Sequence, residues 1–194
     1  LLPAYAVYGL GVLLKPQMLI FTPVLLTGIW DHVFLQDFSW RKFFYNLCGG
    51  LVVICGMLLL CAPFGLTAAI SQYTSTLGSY EYAAINAYNF WGLLGMNWVD
   101  QNTIFLFLPC KIWGTIVILL IVLFTFLIAA RCRKEPSRYF CLGAFIILTM
   151  FLFSVRMHER YMYPGLALLL FCCLYRPSTP LWKCFSGFAV LHFY

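Results

Sequence analysis

The sequence predicts an all-α fold, a polytopic transmembrane helical bundle, and three observations carry that prediction. Of 194 residues, 63% are hydrophobic and 9% charged, against roughly 45–50% and 25% in an ordinary soluble domain. The apolar residues gather into runs that match the need for about 20 such residues to cross hydrocarbon with every backbone group bonded internally. The basic residues sit in alternate loops, as the positive-inside tendency requires. A single transmembrane domain over residues 1–194 with about 5–7 membrane helices is expected.

The first apolar run, residues 2–30, is interrupted by Lys15 and Pro16. It reads as either one long kinked span or two short helices meeting at the break. Clear spans follow at residues 47–65, 112–130, 139–155 and 161–175, the last short and open to extension through the charged residues before it. Residues 184–194 are apolar but too short to span. The chain opens at Leu1 inside an apolar run, so the domain is expected to continue at both ends, with any targeting signal upstream.

Arg41 and Lys42, then Arg131, Arg133, Lys134 and Arg138, then Arg176 and Lys183 occupy loops assigned to the inside. Residues 67–109, which contain no Lys or Arg, then form an outer loop with an interfacial helix, and residues 156–160 a second, short outer connection. The net charge of +6 follows from this asymmetry, and no basic stripe interleaved with stacking aromatics points to nucleic acid. Lys111 is read as a snorkelling lysine at the end of a span. The nine cysteines include no CxxC pair, so neither a zinc site nor a disulfide framework follows. No metal or other cofactor is expected.

The stretch Ser154-Val155-Arg156-Met157-His158-Glu159-Arg160-Tyr161 concentrates two Arg, a His and a Glu at one membrane boundary. Guanidinium forks suit phosphate, and Pro164 suits the first turn of a helix whose free N–H groups favour an anion. Contact with ordinary phospholipid headgroups explains the same residues equally well. A zinc protease is excluded, because the second His of an HExxH motif would fall on Met162. If residues 82–89 are helical, Tyr82, Asn86 and Asn89 share one face; an interfacial helix packed on the bundle is the plainer alternative. Lys15-Pro16-Gln17 combines a charge with a helix breaker, which suits either a buried anion site or an ordinary interfacial lysine.

Taken together, Lys15-Pro16-Gln17, Asn86-Ala87-Tyr88-Asn89-Phe90-Trp91 and His158-Glu159-Arg160-Tyr161 resemble the GT-C superfamily of polytopic membrane glycosyltransferases. More narrowly, the chain resembles bacterial proteins related to the second mannosyltransferase of GPI-anchor synthesis. Its His-Glu pair is similar to the His-Glu-Lys motif of the dolichyl-phosphate-glucose glucosyltransferases, with Arg160 in place of their Lys.

The resemblance implies an inverting enzyme that moves a mannose-like hexose from a polyprenyl-phosphate carrier to a glycan or lipid acceptor at the outer face of a bacterial plasma membrane. It implies that His158 and Arg160 bind the phosphate, Arg156 assists, Glu159 orients one of them, and Lys15 and Gln17 contribute from another helix. Asn86 and Asn89 would meet sugar hydroxyls, and the general base would lie upstream of Leu1. A transporter or lipid flippase is the alternative, with Lys15 at a broken helix; no second copy of either motif is present in this chain.

Overall fold

A computed structural model describes every residue except Gln36, Ser79, Lys134, Pro136 and Tyr194. Lys134 of the second basic loop therefore lies outside the described residues. The chain divides into two units, Leu1–Tyr80 and Glu81–Tyr194.

In the first unit, α1 (Leu2–Leu14) ends where Pro16 forces it to. Lys15 is extended, with φ −152° and ψ 107°, because the proline ring crowds the residue before it out of the helical region. Pro16 has no N–H, so the carbonyl of Val12 loses its usual helical donor. The phenol of Tyr73, on α4 (Leu66–Gly78), donates to Val12 O at 3.1 Å and also to Leu13 O. Beyond the break the chain resumes as one 20-residue apolar helix, Pro16–Leu35. It opens as a 3-10 turn (Pro16–Phe21), continues as α2 (Thr22–Trp30) and closes as a π turn (Asp31–Leu35). Of the two readings open for residues 2–30, the structure has the break.

Helix α3 (Trp40–Cys61) runs on through a 3-10 turn to give a mostly apolar helix of 25 residues, Trp40–Phe64. It meets α1 where glycines permit close approach. Gly9 lies against Val53 and Met57, and Gly49 against Leu2 and Tyr5. Beside them Tyr5 donates to Asn46 Oδ1 at 2.7 Å, while Asn46 Nδ2 donates to Lys42 O at 2.7 Å and lies 3.0 Å from His32 Nδ1. This network satisfies a buried amide that would otherwise be costly in apolar surroundings. Asn46 and Gly49 are the buried residues of α3; Val53 and Met57 are partly buried and many of its other large apolar side chains are exposed, which suits a helix that meets hydrocarbon.

The second unit carries α6 (Cys110–Arg131), α7 (Arg138–Phe153), α8 (Tyr163–Tyr175) and α9 (Thr179–Phe193). Helix α7 packs on both α6 and α8. Gly165 lets α8 approach it, since a Cβ there would stand 2.6 Å from Leu148 Cδ2 and 2.9 Å from Ile147 Cγ2. At the end of α6 and α8, Arg176 pairs with Glu135 at 3.1 Å, an exposed contact of small energetic weight. The opposite end carries the two-residue strands β1 (Ala84–Ile85), β2 (Ile104–Phe105), β3 (Leu108–Pro109) and β4 (Met157–His158), with the one-turn α5 (Phe90–Leu93).

The chain is thus mostly helical with little strand. Pro16–Leu35, Trp40–Phe64 and Cys110–Arg131 are long and apolar enough to cross a membrane. Helix α7 is apolar but has 16 residues. Helix α8 has 13, preceded by a 3-10 turn over Glu159–Met162 that carries helical backbone back into the charged residues.

Replacing Gly165 with Val should lower the unfolding temperature of the detergent-solubilised protein, because overpacking a closely fitted core costs about 1–3 kcal/mol. Gly50→Ala is the control: a Cβ at Gly50 meets nothing within 4 Å, so its unfolding temperature should not fall.

Candidate functional site

The segment following Tyr80 and the segment following α7 are far apart in sequence, and backbone pairing joins them. Strand β1 pairs in parallel with β4, Ala84 opposite Met157 and Ile85 opposite His158. Just before the ladder, Arg156 N–H donates to Ala83 O at 2.9 Å. The other edge of β1 is also occupied. Ala83 N–H donates to Val99 O at 2.8 Å, and Trp98 N–H to Ala84 O at 2.9 Å. The result is a narrow three-stranded cross-section in which a central segment is bonded on both sides.

Apolar packing holds this cross-section at the helix ends. Ala83, Ala84, Trp91, Cys110 and Val155 are buried together, with Met96, Phe105 and Trp113 packed around them. Trp91 Nε1 donates to Phe153 O at 3.0 Å, which satisfies both the indole and a carbonyl left open at the end of α7. Gly114, near the start of α6, gives Val155 its seat, since a Cβ there would stand 2.5 Å from Val155 Cγ2.

Residues 82–89 contain a short strand and not a helix, so the helical face expected for Tyr82, Asn86 and Asn89 does not form. The two asparagines nevertheless line one cavity of about 640 Å³, together with Tyr88, Asn97, Leu152 and Phe153. They serve it differently. Asn89 is buried and caps α5: its Oδ1 accepts from Gly92 N–H at 2.9 Å, and its Nδ2 donates to Phe151 O at 3.2 Å. Asn86 is exposed, in the left-handed region at φ 49°. Its N–H donates to Asn97 Oδ1 at 2.8 Å, and its Oδ1 accepts from Trp98 Nε1 at 3.1 Å. Tyr82 packs edge-on against Trp98, with centroids 5.3 Å apart.

The cationic stretch divides at β4. His158 is half-buried, directly opposite Ile85, and meets Tyr161 edge-on with centroids 5.5 Å apart. Glu159 and Arg160 open the 3-10 turn and are exposed. Arg156, at φ 63°, instead directs its Nε to Gln101 Oε1 at 2.7 Å. It lines a second cavity of about 410 Å³ with Lys111. Lys15 and Gln17 belong to the unit Leu1–Tyr80, Lys15 exposed at the end of α1 and Gln17 partly buried in the following turn. Among the described residues, no group of three or more His, Cys, Asp or Glu side chains could hold a metal.

Sequence reasoning leaves Asn97, Trp98 and Gln101 without roles. Their amide and indole groups position Asn86 and Arg156, and no local spacing announces a partner on the far side of a ladder.

Burial pushes the His158 imidazole below the ordinary histidine pKa; Arg160 acts in the same direction, and Glu159 opposes them. The neutral ring, with one N–H to donate, is therefore the form favoured by the fold near neutral pH.

Compared with known proteins, the chain gives no significant match to a family model, to a curated sequence or to a solved structure.

Three measurements check this geometry. The His158 ring resonance should titrate with a midpoint below about 6.5. Because the folded-state value is depressed, its contribution to stability is complete above about 6.5 and is lost as pH falls through the folded midpoint, so His158→Gln should flatten the fall in unfolding temperature over that window. Asn89→Ala should lower stability by about 1–2 kcal/mol through loss of the α5 cap, measured by chemical unfolding in detergent.

Proposed function

We propose that this chain belongs to a multi-pass membrane glycosyltransferase that takes a sugar from a polyprenyl-phosphate carrier. The mostly helical fold and three helices long enough to span support a membrane setting. The finer reading takes the shorter apolar helices as further spans, about 5–7 in all, with the β1–β4 end at the outer face of a bacterial plasma membrane. The observation that carries the reading is the pairing of Ile85 with His158. It sets Asn86, which follows Ile85 and lines the 640 Å³ cavity, beside the strand that leads into Glu159-Arg160. Amides suit sugar hydroxyls, apolar walls suit a lipid chain, and a cation with a neutral N–H donor suits a phosphate.

The reaction follows from that division of labour. An acceptor hydroxyl oxygen bonds to the anomeric carbon from the face opposite the carrier, the bond from that carbon to the phosphate oxygen breaks, and configuration inverts. The hydroxyl proton passes to a carboxylate base, and the electron pair leaves on the phosphate. Arg160 and the His158 N–H stabilise that growing charge, which is where fixed donors lower a barrier, and Glu159 orients Arg160. Asn86 and Asn97 hold the sugar, while Asn89 supports them by capping α5.

A transporter or flippase is the second reading, favoured by the extended backbone of Lys15 between α1 and the Pro16–Leu35 helix, a discontinuity of the kind that lines ion sites in transporters.

Sugar release from a radiolabelled polyprenyl-phosphate sugar, measured in membranes carrying the full-length protein, tests the proposal. Arg160→Ala and His158→Ala should each lower transfer about a hundredfold at matched expression, the scale of losing one donor to a developing oxyanion. Unchanged transfer in both variants would remove the cluster from the mechanism. Labelled carrier that crosses the membrane intact, with no transfer from any donor sugar, would favour the transporter.

A further inference from the structure

The 410 Å³ groove between the first turns of α6 and the segment leaving α7 is not used by the glycosyl-transfer reading. Its walls include Lys111, Thr115, Ser154 and Arg156, with Ile112 and Ile118 on the α6 side. Among the described residues, His158, Glu159 and Arg160 are not part of its walls, and neither is any carboxylate. Two cations therefore share one opening above an apolar helix face. We propose that this groove binds an anionic phospholipid, its phosphate held by Lys111 and Arg156 and an acyl chain lying along the face of α6 that carries Ile118.

Several features favour a lipid over other ligands. Lys111 stands in the first turn of α6, a helix long and apolar enough to cross a membrane. The headgroup layer is thus where its ammonium and a phospholipid phosphate meet. Arg156 is oriented by Gln101, whose Oε1 accepts from its Nε at 2.7 Å. That partner is a buried, neutral amide, which orients the guanidinium. Gln101 also ties the two cations together, because its carbonyl accepts from Lys111 N–H at 2.9 Å. The left-handed φ of 63° at Arg156 is a conformation that long side chains seldom adopt; it is retained where the side chain enters this groove. Ile118 is exposed and lies seven residues beyond Lys111, about two turns further along the same face of α6 with Thr115 between them, where an acyl chain descends from its phosphate.

The probe is dioleoylphosphatidylglycerol, with dioleoylphosphatidylcholine and inorganic phosphate as comparisons, added to the full-length protein in detergent and followed by native mass spectrometry. The phosphatidylglycerol adduct should be retained preferentially, and phosphatidylcholine should compete poorly. Lys111→Gln should weaken retention about fivefold, the scale of one cation near an anionic membrane surface. Arg156→Gly should do the same, and because glycine adopts φ of 63° without strain the backbone turn survives. Ile118→Trp should exclude the acyl chain while leaving both cations. Equal retention of the two lipids, indifference to all three substitutions, or displacement by millimolar inorganic phosphate would each overturn the proposal. Sugar transfer measured on Lys111→Gln separates the two assignments, since the groove is predicted to hold lipid whether or not the chain transfers sugar.

Discussion

A buried backbone polar group is costly to leave without a partner, and the segment around Ala84 meets that constraint by bonding on both of its edges. Its carbonyls and N–H groups reach Val99 and Trp98 on one side and Arg156, Met157 and His158 on the other. Much of the second unit's helix-end architecture depends on that arrangement. Val155 must pass close to α6, which Gly114 allows. Trp91 is drawn onto the last turn of α7, where its indole meets Phe153 O. Gln101, aligned by Glu81 O, is then in position to orient Arg156. A short ladder of two residue pairs thereby decides where amides, cations and aromatic rings stand.

That ladder requires turns that few side chains favour. Asn86, Trp98 and Arg156 all lie in the left-handed region, at φ 49°, 60° and 63°. Asparagine tolerates this conformation, whereas for the other two it costs roughly 1–2 kcal/mol each. Hydrogen bonds from Trp98 Nε1 to Asn86 and from Arg156 Nε to Gln101 offset part of that cost, each on the order of 1 kcal/mol. Strained residues persist where the surroundings overdetermine them, and they concentrate where a protein holds a ligand. Here Asn86 and Arg156 each line a cavity, and Trp98 bonds to the strand between them.

The first unit solves a different problem with the same physics. Pro16 ends α1 and exposes the carbonyl of Val12, and α4 supplies Tyr73 to cover it. Asn46 introduces an amide into an apolar helix, and Tyr5, Lys42 O and His32 surround it. In each case a polar group that hydrocarbon would penalise is matched by a side chain from a neighbouring element, so the break between the short α1 and the 20-residue Pro16–Leu35 helix is structured.

Properties carried by contiguous residues are legible in the sequence. The apolar helices over residues 47–65 and 112–130 are such properties, because spanning depends on local hydropathy and length, and the interruption at Lys15-Pro16 is another, because proline acts on its own neighbours. The charge cluster at residues 156–160 is legible too, but not its division: Arg156 turns to Gln101 while His158 joins the ladder, and that depends on one left-handed residue. The conditional helix over residues 82–89 does not form because strand pairing with a segment some seventy residues away competes with local spacing. Asn89 has the cap signal, an asparagine before Phe90-Trp91-Gly92, though only the structure shows its amide bonded there. The sequence by itself determined which segments prefer hydrocarbon and where the helix must break. Tertiary structure decided which polar groups meet, because backbone pairing across long separations has no local signature and is selected by the need to satisfy every buried donor and acceptor at once.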